Sequence, residues 1–133
     1  PDFINDTLRN NFSTYDPDLG ANDIHQLLKR VDLLALTDEN PEGLDQKIKN
    51  NGRRLSLGVR RRLALARALC HDGVLAILDE PTEGMDPKGA SIVYNVMNEL
   101  VERKCTTVVF SHDRNIVRGA HHFLNLGEKK VLS

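Results

Sequence analysis

The chain contains no tryptophan, and aromatic residues make up only 5% of its 133 positions. Proteins that hold single-stranded nucleic acid stack its bases on aromatic side chains, so a surface of that kind has no material here. A formal net charge of −1 gives no general attraction to nucleic acid or anionic lipid. There are only two cysteines, Cys70 and Cys105, without metal or redox spacing. They read as buried thiols of a reducing compartment. No apolar run approaches the length of a membrane span. The opening "PDFINDTLRN" has neither an initiator methionine nor the basic start of a leader, and reads as cut from a longer polypeptide. Internal repeats and low-complexity tracts are also missing.

What is present is a core. Apolar residues reach 40%, which argues against disorder, and the length allows one domain at most, or a part of one. The first fifty or so residues are polar and helix-like. "DTLRNNF" is short and amphipathic, and "STYDPDLG" breaks it at Pro17 and Gly20. "ANDIHQLLKRVDLLAL" then carries Ile24, Leu27, Leu28, Val31 and Leu34 at helical spacing, with Asn22 or Asp23 as the expected cap. "TDENPEGLDQKIKNNGRR" reads as a loop broken by Pro41, Gly43 and Gly52.

The pattern changes at Leu55. In "LSLGVRRRLALARAL" the residues Val59, Leu63, Ala66 and Cys70 share one helical face. "VLAIL" is a short continuous apolar run, as expected of a strand covered on both faces. A second helix is predicted from Pro87 to Lys104, with the stripe Ile92, Val93, Val96, Met97, Leu100 and Val101. "CTTVVFS" reads as a second strand, "RNIVRGA" as a short helix and "HFLNL-GEKK-VLS" as a hairpin. That succession predicts an α/β half-sheet preceded by a small helical portion.

Chemistry gathers at three points. Asp79 and Glu80 lie at the C-terminal end of the first predicted strand, the edge at which open α/β sheets bind ligands. One carboxylate there can hold Mg²⁺, usually through water, and its neighbour can polarise an attacking water. An Asp-Glu pair can also simply end a strand at a turn; here the apolar strand before it and "DEPT" plus "GMD" after it favour chemistry. His112 ends the second strand in "VVFSHD", where a histidine can contact a γ-phosphate. His25, His71, His121 and His122 read as ordinary surface-turn histidines. The helix beginning near Ser56 offers unpaired N–H groups and the positive end of its dipole, Ser56 a hydroxyl, and Gly58 room for a phosphate to approach. Arg60, Arg61, Arg62 and Arg67 read as a solvated or subunit-facing surface without a catalytic role.

Together these stretches resemble the C-terminal part of the nucleotide-binding domain of an ATP-binding cassette (ABC) transporter of the exporter type. "LSLGV" resembles the signature LSGGQ, and "VLAILDE" resembles Walker B. "EGMD" resembles the D-loop, His112 the switch histidine, and "TLRNN" the exporter stretch T-[IL]-R-x-N. "GLDQKIKNNGRRLS" resembles the exporter loop that senses the coupling helices. The resemblance implies an α/β, partial P-loop NTPase-like fold. It implies a helical subdomain with the signature and its helix over 1–72, and a C-terminal core with Walker B, D-loop and switch histidine over 73–133. It implies Glu80 and His112 as catalytic residues and Asp79 as the Mg²⁺-associated acid. Asp86 is then the D-loop acid, and Ser56, Leu57 and Gly58 contact ATP held by a partner. The cofactors implied are ATP and Mg²⁺. The partners are a second nucleotide-binding domain and the transporter's transmembrane domains, with no nucleic acid. The location is the cytoplasmic face of the membrane, with the fragment itself soluble.

The departures are specific. Leu57 stands where the signature usually has Gly, Val59 where it has Gln, and Asn51 where the exporter loop has Glu. A leucine restricts φ to negative values and adds bulk, so a weakened composite site is expected. No G-x-x-x-x-G-K-[ST] occurs in the sequence. The resemblance implies that this loop, the adenine-stacking aromatic and the Q-loop glutamine precede Pro1, so that the chain alone is inactive. Two other readings stand beside it. One is a soluble ABC-type ATPase of DNA repair or chromosome maintenance, which a coiled coil just upstream would reveal. The other is a non-enzymatic docking module keeping only the signature surface. The transported substrate and the choice between homodimer and heterodimer are not legible.

Overall fold

The computed structural model describes residues 2–70, 72–127 and 130–132. Three helices come first: α1 (Leu8–Ser13), α2 (Ala21–Arg30) and α3 (Ala35–Asp38). Thr7 caps α1, its side chain accepting from the Asn10 N–H. The cap of α2 is Gly20 rather than Asn22 or Asp23. Asp23 sits one turn in and reaches back to accept from the Gly20 N–H at 3.0 Å, the carboxylate half of a capping box. The helix ends at Val31, and Asp32 takes a left-handed φ of 55°. The Leu33 N–H then closes on the Leu28 carbonyl at 2.8 Å, a Schellman stop achieved without glycine.

The predicted loop that follows is more ordered than its turn residues suggest. It holds the end of α3, which begins in the stretch read as the preceding helix, and two 3₁₀ turns, Gly43–Asp45 and Asn50–Gly52. A short antiparallel bridge, Thr7 to Lys47, ties it to the N-terminal segment. Asn11 is 2% exposed and pins that segment from inside, accepting from the Ile4 N–H and donating to the carbonyls of Ile4 and Thr7. Gly52 adopts φ +77°, and a Cβ there would come within 2.7 Å of the Phe3 ring, so no other residue fits. Asn51, the departure from glutamate, also has a left-handed φ of 54°, which asparagine tolerates better than most residues.

The second half runs α4 (Leu57–Ala68), β1 (Leu75–Asp79), α5 (Pro87–Glu102), β2 (Thr106–Phe110), α6 (Arg114–Gly119) and the hairpin β3 (Phe123–Asn125) with β4 (Lys130–Leu132). β1 and β2 are parallel, with Leu75 opposite Thr106 and Asp79 opposite Phe110. β3 and β4 are antiparallel, as a hairpin requires; its tip at Glu128 and Lys129 lies outside the described residues. His71 lies outside them too. His121 and His122 are exposed as expected, whereas His25 is half-buried within α2 and not in a turn.

One buried cluster unites the two halves. It runs from Phe3, Leu8 and Phe12 through Ile24, Leu28 and Val31 to Leu63 and Ala66 of α4 and Val93, Val96 and Leu100 of α5. Both cysteines join it, and burial pushes the Cys70 thiol up to about 11. Two expectations are corrected. Val101 belongs to the periodic stripe of α5 yet is 50% exposed, because it falls one step past the edge of the buried face. β1 is covered on one face only. Ala76 and Leu78 pack on the core, while Leu75 and Ile77 look outward together with Val108 and Phe110 of β2. The cause is the crossover: α5 packs on β2 and α4 on α5, so among the described residues the helices cover the same side of the strand pair.

Candidate functional site

The two strands end side by side, and the residues singled out from the sequence follow them directly. Glu80 extends the ladder, its N–H donating to the Phe110 carbonyl at 2.8 Å. The chain then turns sharply, because Glu80 adopts a left-handed φ of 43°. For a residue other than Gly, Asn or Asp this is uncommon. On the neighbouring strand end stands His112, with its Nδ1 2.5 Å from Glu80 Oε1 and its backbone N–H pointing to Glu80 Oε2 at 3.4 Å. The histidine side chain is 98% exposed and that of Glu80 26%. The arrangement leaves the second ring nitrogen facing solvent, with a carboxylate behind the ring. Asp79 is exposed on the outer face of the strand, and no protein group pairs with its carboxylate among the described residues. A carboxylate so placed can accept from the water shell of a hydrated cation. Mg²⁺ keeps several of its waters and is commonly held by one or two carboxylates together with substrate phosphates, so a single carboxylate here fits it.

Asp86 has a structural task in addition to any chemical one. It caps α5, accepting from the Gly89 N–H at 2.7 Å, with Pro87 at the first helical position. Between Glu80 and Asp86 the turn passes Gly84 at φ +71°, a conformation that needs glycine.

The helix α4 starts at Ser56, whose Oγ accepts from the Val59 N–H at 3.2 Å. Capping uses the hydroxyl as an acceptor, so its own proton stays available. The N–H groups of Leu57 and Gly58, first and second in the helix, have no intrahelical partner. A Cβ on Gly58 would meet no atom within 4 Å among the described residues, so the space over this helix start is open. Leu57 has ordinary helical backbone angles, so the conformational objection to leucine does not apply. Its bulk remains: the side chain is exposed and leans on Gly84, with Cδ2 3.6 Å from where a Cβ would stand.

Three of the four arginines singled out on α4, Arg61, Arg62 and Arg67, are tied to the chain itself and not simply solvated. Arg61 is 13% exposed and forks onto Glu83, donating to its backbone carbonyl and, at 2.6 Å, to its carboxylate. Arg62 donates to the carbonyls of Val31 and Asp32, and Lys88 pairs with the Asp32 carboxylate at 2.8 Å. Arg67 lies over the rings of Phe3 and Tyr15, 4.3 and 5.0 Å from their centroids, and donates to the Asp2 carbonyl. Burial pulls its pKa below the ordinary arginine value. Long stems that cover apolar surface while their heads find fixed partners look solvated in a hydropathy pattern.

One cluster went unread in the sequence. Asp113, next to His112, accepts at a single carboxylate oxygen from Tyr94 Oη at 2.5 Å and from Thr82 Oγ1 at 2.9 Å. Its other oxygen caps α6 through the Asn115 N–H at 2.9 Å. The tyrosine hydrogen bond, chief among the causes, holds the Asp113 carboxyl below its usual range and raises the Tyr94 phenol. "DEPT" and "SHD" contain two of these residues; Tyr94 carries no sequence signal at all.

Comparison with known proteins gives the arrangement a setting. Residues 3–83 match the family model described as ABC transporter. The chain is 32% identical over 129 residues to the ATP-dependent lipid A-core flippase of Neisseria meningitidis serogroup A, covering 97% of the chain and 21% of that protein. It is 38% identical over 112 residues to the glutathione/L-cysteine transport system ATP-binding/permease protein CydC of Escherichia coli, covering 84% of the chain and 19% of the relative. Among solved structures, a bacterial Atm1-family ABC exporter with ATP bound superposes with a TM-score of 0.78 at 21% identity, covering 92% of the chain and 21% of that structure. The chain thus spans about a fifth of the length of the proteins it matches.

Proposed function

Because the chain belongs to the ABC transporter family, we propose that it forms the signature-to-switch portion of an exporter's nucleotide-binding domain, and that the intact polypeptide couples ATP hydrolysis to transport across a membrane. The observation that carries this reading is the Glu80–His112 pair at the C-terminal ends of adjacent parallel strands, with Asp79 beside it. Glu80 polarises the attacking water and accepts its proton. His112 presents its free ring nitrogen toward the transferring phosphoryl group and is held in place by Glu80. Asp79 would hold Mg²⁺, and the ion would supply neutralisation of the developing phosphate charge. Ser56 and the N–H groups of Leu57 and Gly58 face ATP bound by a second nucleotide-binding domain, where the helix start favours an anion. Asp86 sits in the D-loop between the two. In this reading residues 1–72 are the helical subdomain and 73–133 the catalytic core, and the phosphate-cradling loop is supplied by the rest of the polypeptide. The outward apolar face of Leu75, Ile77, Val108 and Phe110 supports this, since such a patch calls for a cover. Membrane attachment is through the transmembrane domains, on the cytoplasmic side. Among the described residues no helix is long and apolar enough to cross a membrane.

The test compares the full-length polypeptide with the 133-residue chain. The full-length protein hydrolyses Mg-ATP. The chain alone shows no turnover and at best weak affinity by calorimetry, because Asp79 and Glu80 repel a polyphosphate and no cradle of backbone donors offsets them. Micromolar binding to the isolated chain refutes this division of labour.

A second expectation concerns the signature. With the backbone of Leu57 already helical, its side chain is the remaining obstacle to close approach of a phosphate. Leu57→Gly combined with Val59→Gln is expected to raise ATP turnover of the full-length protein by about threefold or more, as removal of a misplacement would. Unchanged or lower turnover means that leucine is accommodated without penalty.

A further inference from the structure

We propose that Thr82, Asp113 and Tyr94 form a clamp of positioning residues that fixes His112 against the carboxylate of Glu80. The proposal rests on the assignment of Glu80 and His112 made above and adds to it the means by which they are held.

Packing does not set the direction of His112. The His112 side chain is 98% exposed, so no core contact sets its direction. Glu80 leaves its strand in a left-handed conformation, and the direction of its side chain therefore depends on how the following turn is anchored. That turn is closed locally by two backbone bonds, Glu83 N–H to the Glu80 carbonyl and Met85 N–H to the Thr82 carbonyl, at 3.2 and 3.1 Å. Apart from the Glu80 carboxylate's own contact with His112, its side-chain tie to the other strand end, among the described residues, is the Thr82 hydroxyl donating to Asp113. Thr82 is two residues beyond Glu80, and Asp113 directly follows His112. Beyond the strand ladder, which ends with the Glu80 N–H on the Phe110 carbonyl, this hydrogen bond joins the two backbone segments that carry the reactive pair.

Tyr94 gives the joint a fixed point. It projects from the second turn of α5, a 16-residue helix packed into the core through Val93 and Val96 on either side of it. Its phenol donates to the same Asp113 oxygen that Thr82 uses, and Asn115 Nδ2 donates back to the phenol oxygen at 3.3 Å. The Asp113 N–H is itself satisfied by Ser111 Oγ at 3.0 Å. The carboxylate is therefore held from α5, α6 and the β1 turn together. Bonds to an ionised acceptor are about twice as strong as neutral ones, which suits a joint that must not drift. None of the three side chains needs to touch substrate for this.

The experiment uses the full-length polypeptide and Mg-ATP. Thr82→Val keeps shape and removes the hydroxyl; Tyr94→Phe removes one oxygen. Each is expected to lower kcat about tenfold, in line with a sub-ångström loss of alignment, while KM and equilibrium ATP binding stay within about twofold. Thr82→Ser restores the wild-type rate. The double variant is no slower than the worse single one by more than about twofold, because both act through one carboxylate. Thermal melts establish that each variant is folded, and Tyr94→Phe supplies the readout if Thr82→Val is not. A kcat within twofold of wild type in both single variants overturns the clamp, as does a parallel loss of ATP affinity. Glu80→Gln, run alongside, separates the two ideas. If it turns over normally, the assignment of Glu80 falls and the clamp with it; if it is inactive while the clamp variants are unaffected, only the clamp falls.

Discussion

Glu80→Gln in the full-length polypeptide is expected to abolish ATP turnover while leaving ATP binding intact. The amide has the size of the carboxylate and lacks the basicity to take a proton from water, so the loss is that of the general base, about 10²- to 10⁴-fold. The local geometry makes the substitution clean. Glu80 Oε1 meets His112 Nδ1, and a glutamine carbonyl oxygen can accept from the same N–H. His112 therefore keeps its support, and the measurement reports the proton transfer and not a displaced histidine. Removing one negative charge beside the polyphosphate is also expected to favour the ATP-bound state. Single-turnover hydrolysis within a few-fold of wild type would mean that another group accepts the proton.

Leu63→Ala carries the largest expected structural cost. Leu63 is 1% exposed and belongs to α4, in the cluster shared by residues from Phe3 to Cys105. Truncating a buried leucine removes its transfer free energy and leaves a cavity, together about 2–5 kcal/mol. Against a total stability of about 5–15 kcal/mol this is a large fraction. Because the same helix begins at Ser56, the signature end loosens with the core. Val101→Ala is the control, since that residue is half-exposed and its truncation is expected to cost about 0.5 kcal/mol or less. Chemical denaturation of the two variants decides: similar midpoints would mean that α4 is not packed as described.

Where local pattern and local chemistry coincide, the fold was readable. The stripes of α4 and α5 announce helices because burial repeats every 3.6 residues, and Ser56 and Pro87 mark their starts, the one with its hydroxyl, the other at a position where a missing N–H costs nothing. The juxtaposition of Glu80 and His112 followed from strand–helix–strand order, since a parallel pair brings both C-terminal ends to one edge. Other features depend on partners distant in sequence. Hydropathy reads Leu75 and Ile77 as interior but cannot say what covers them, and among the described residues nothing packs on that face. Nor can it tell a guanidinium in water from one forked onto Glu83 or stacked over Phe3. The link between Thr82 and Asp113 spans 31 positions, and that between Tyr94 and Asp113 spans 19; neither leaves a periodic trace.

The left-handed turn at Glu80 has a consequence for how this protein can be improved. A non-glycine residue in that conformation costs about 1–2 kcal/mol. Selection for endurance alone would put glycine or asparagine there, and a search for thermostable variants without an activity screen will find position 80 among its rewards. Such variants would be sturdier and chemically blank. On the proposed assignment of Glu80 the acid and the bend share one residue, so hardiness at this point is gained only by giving up the chemistry.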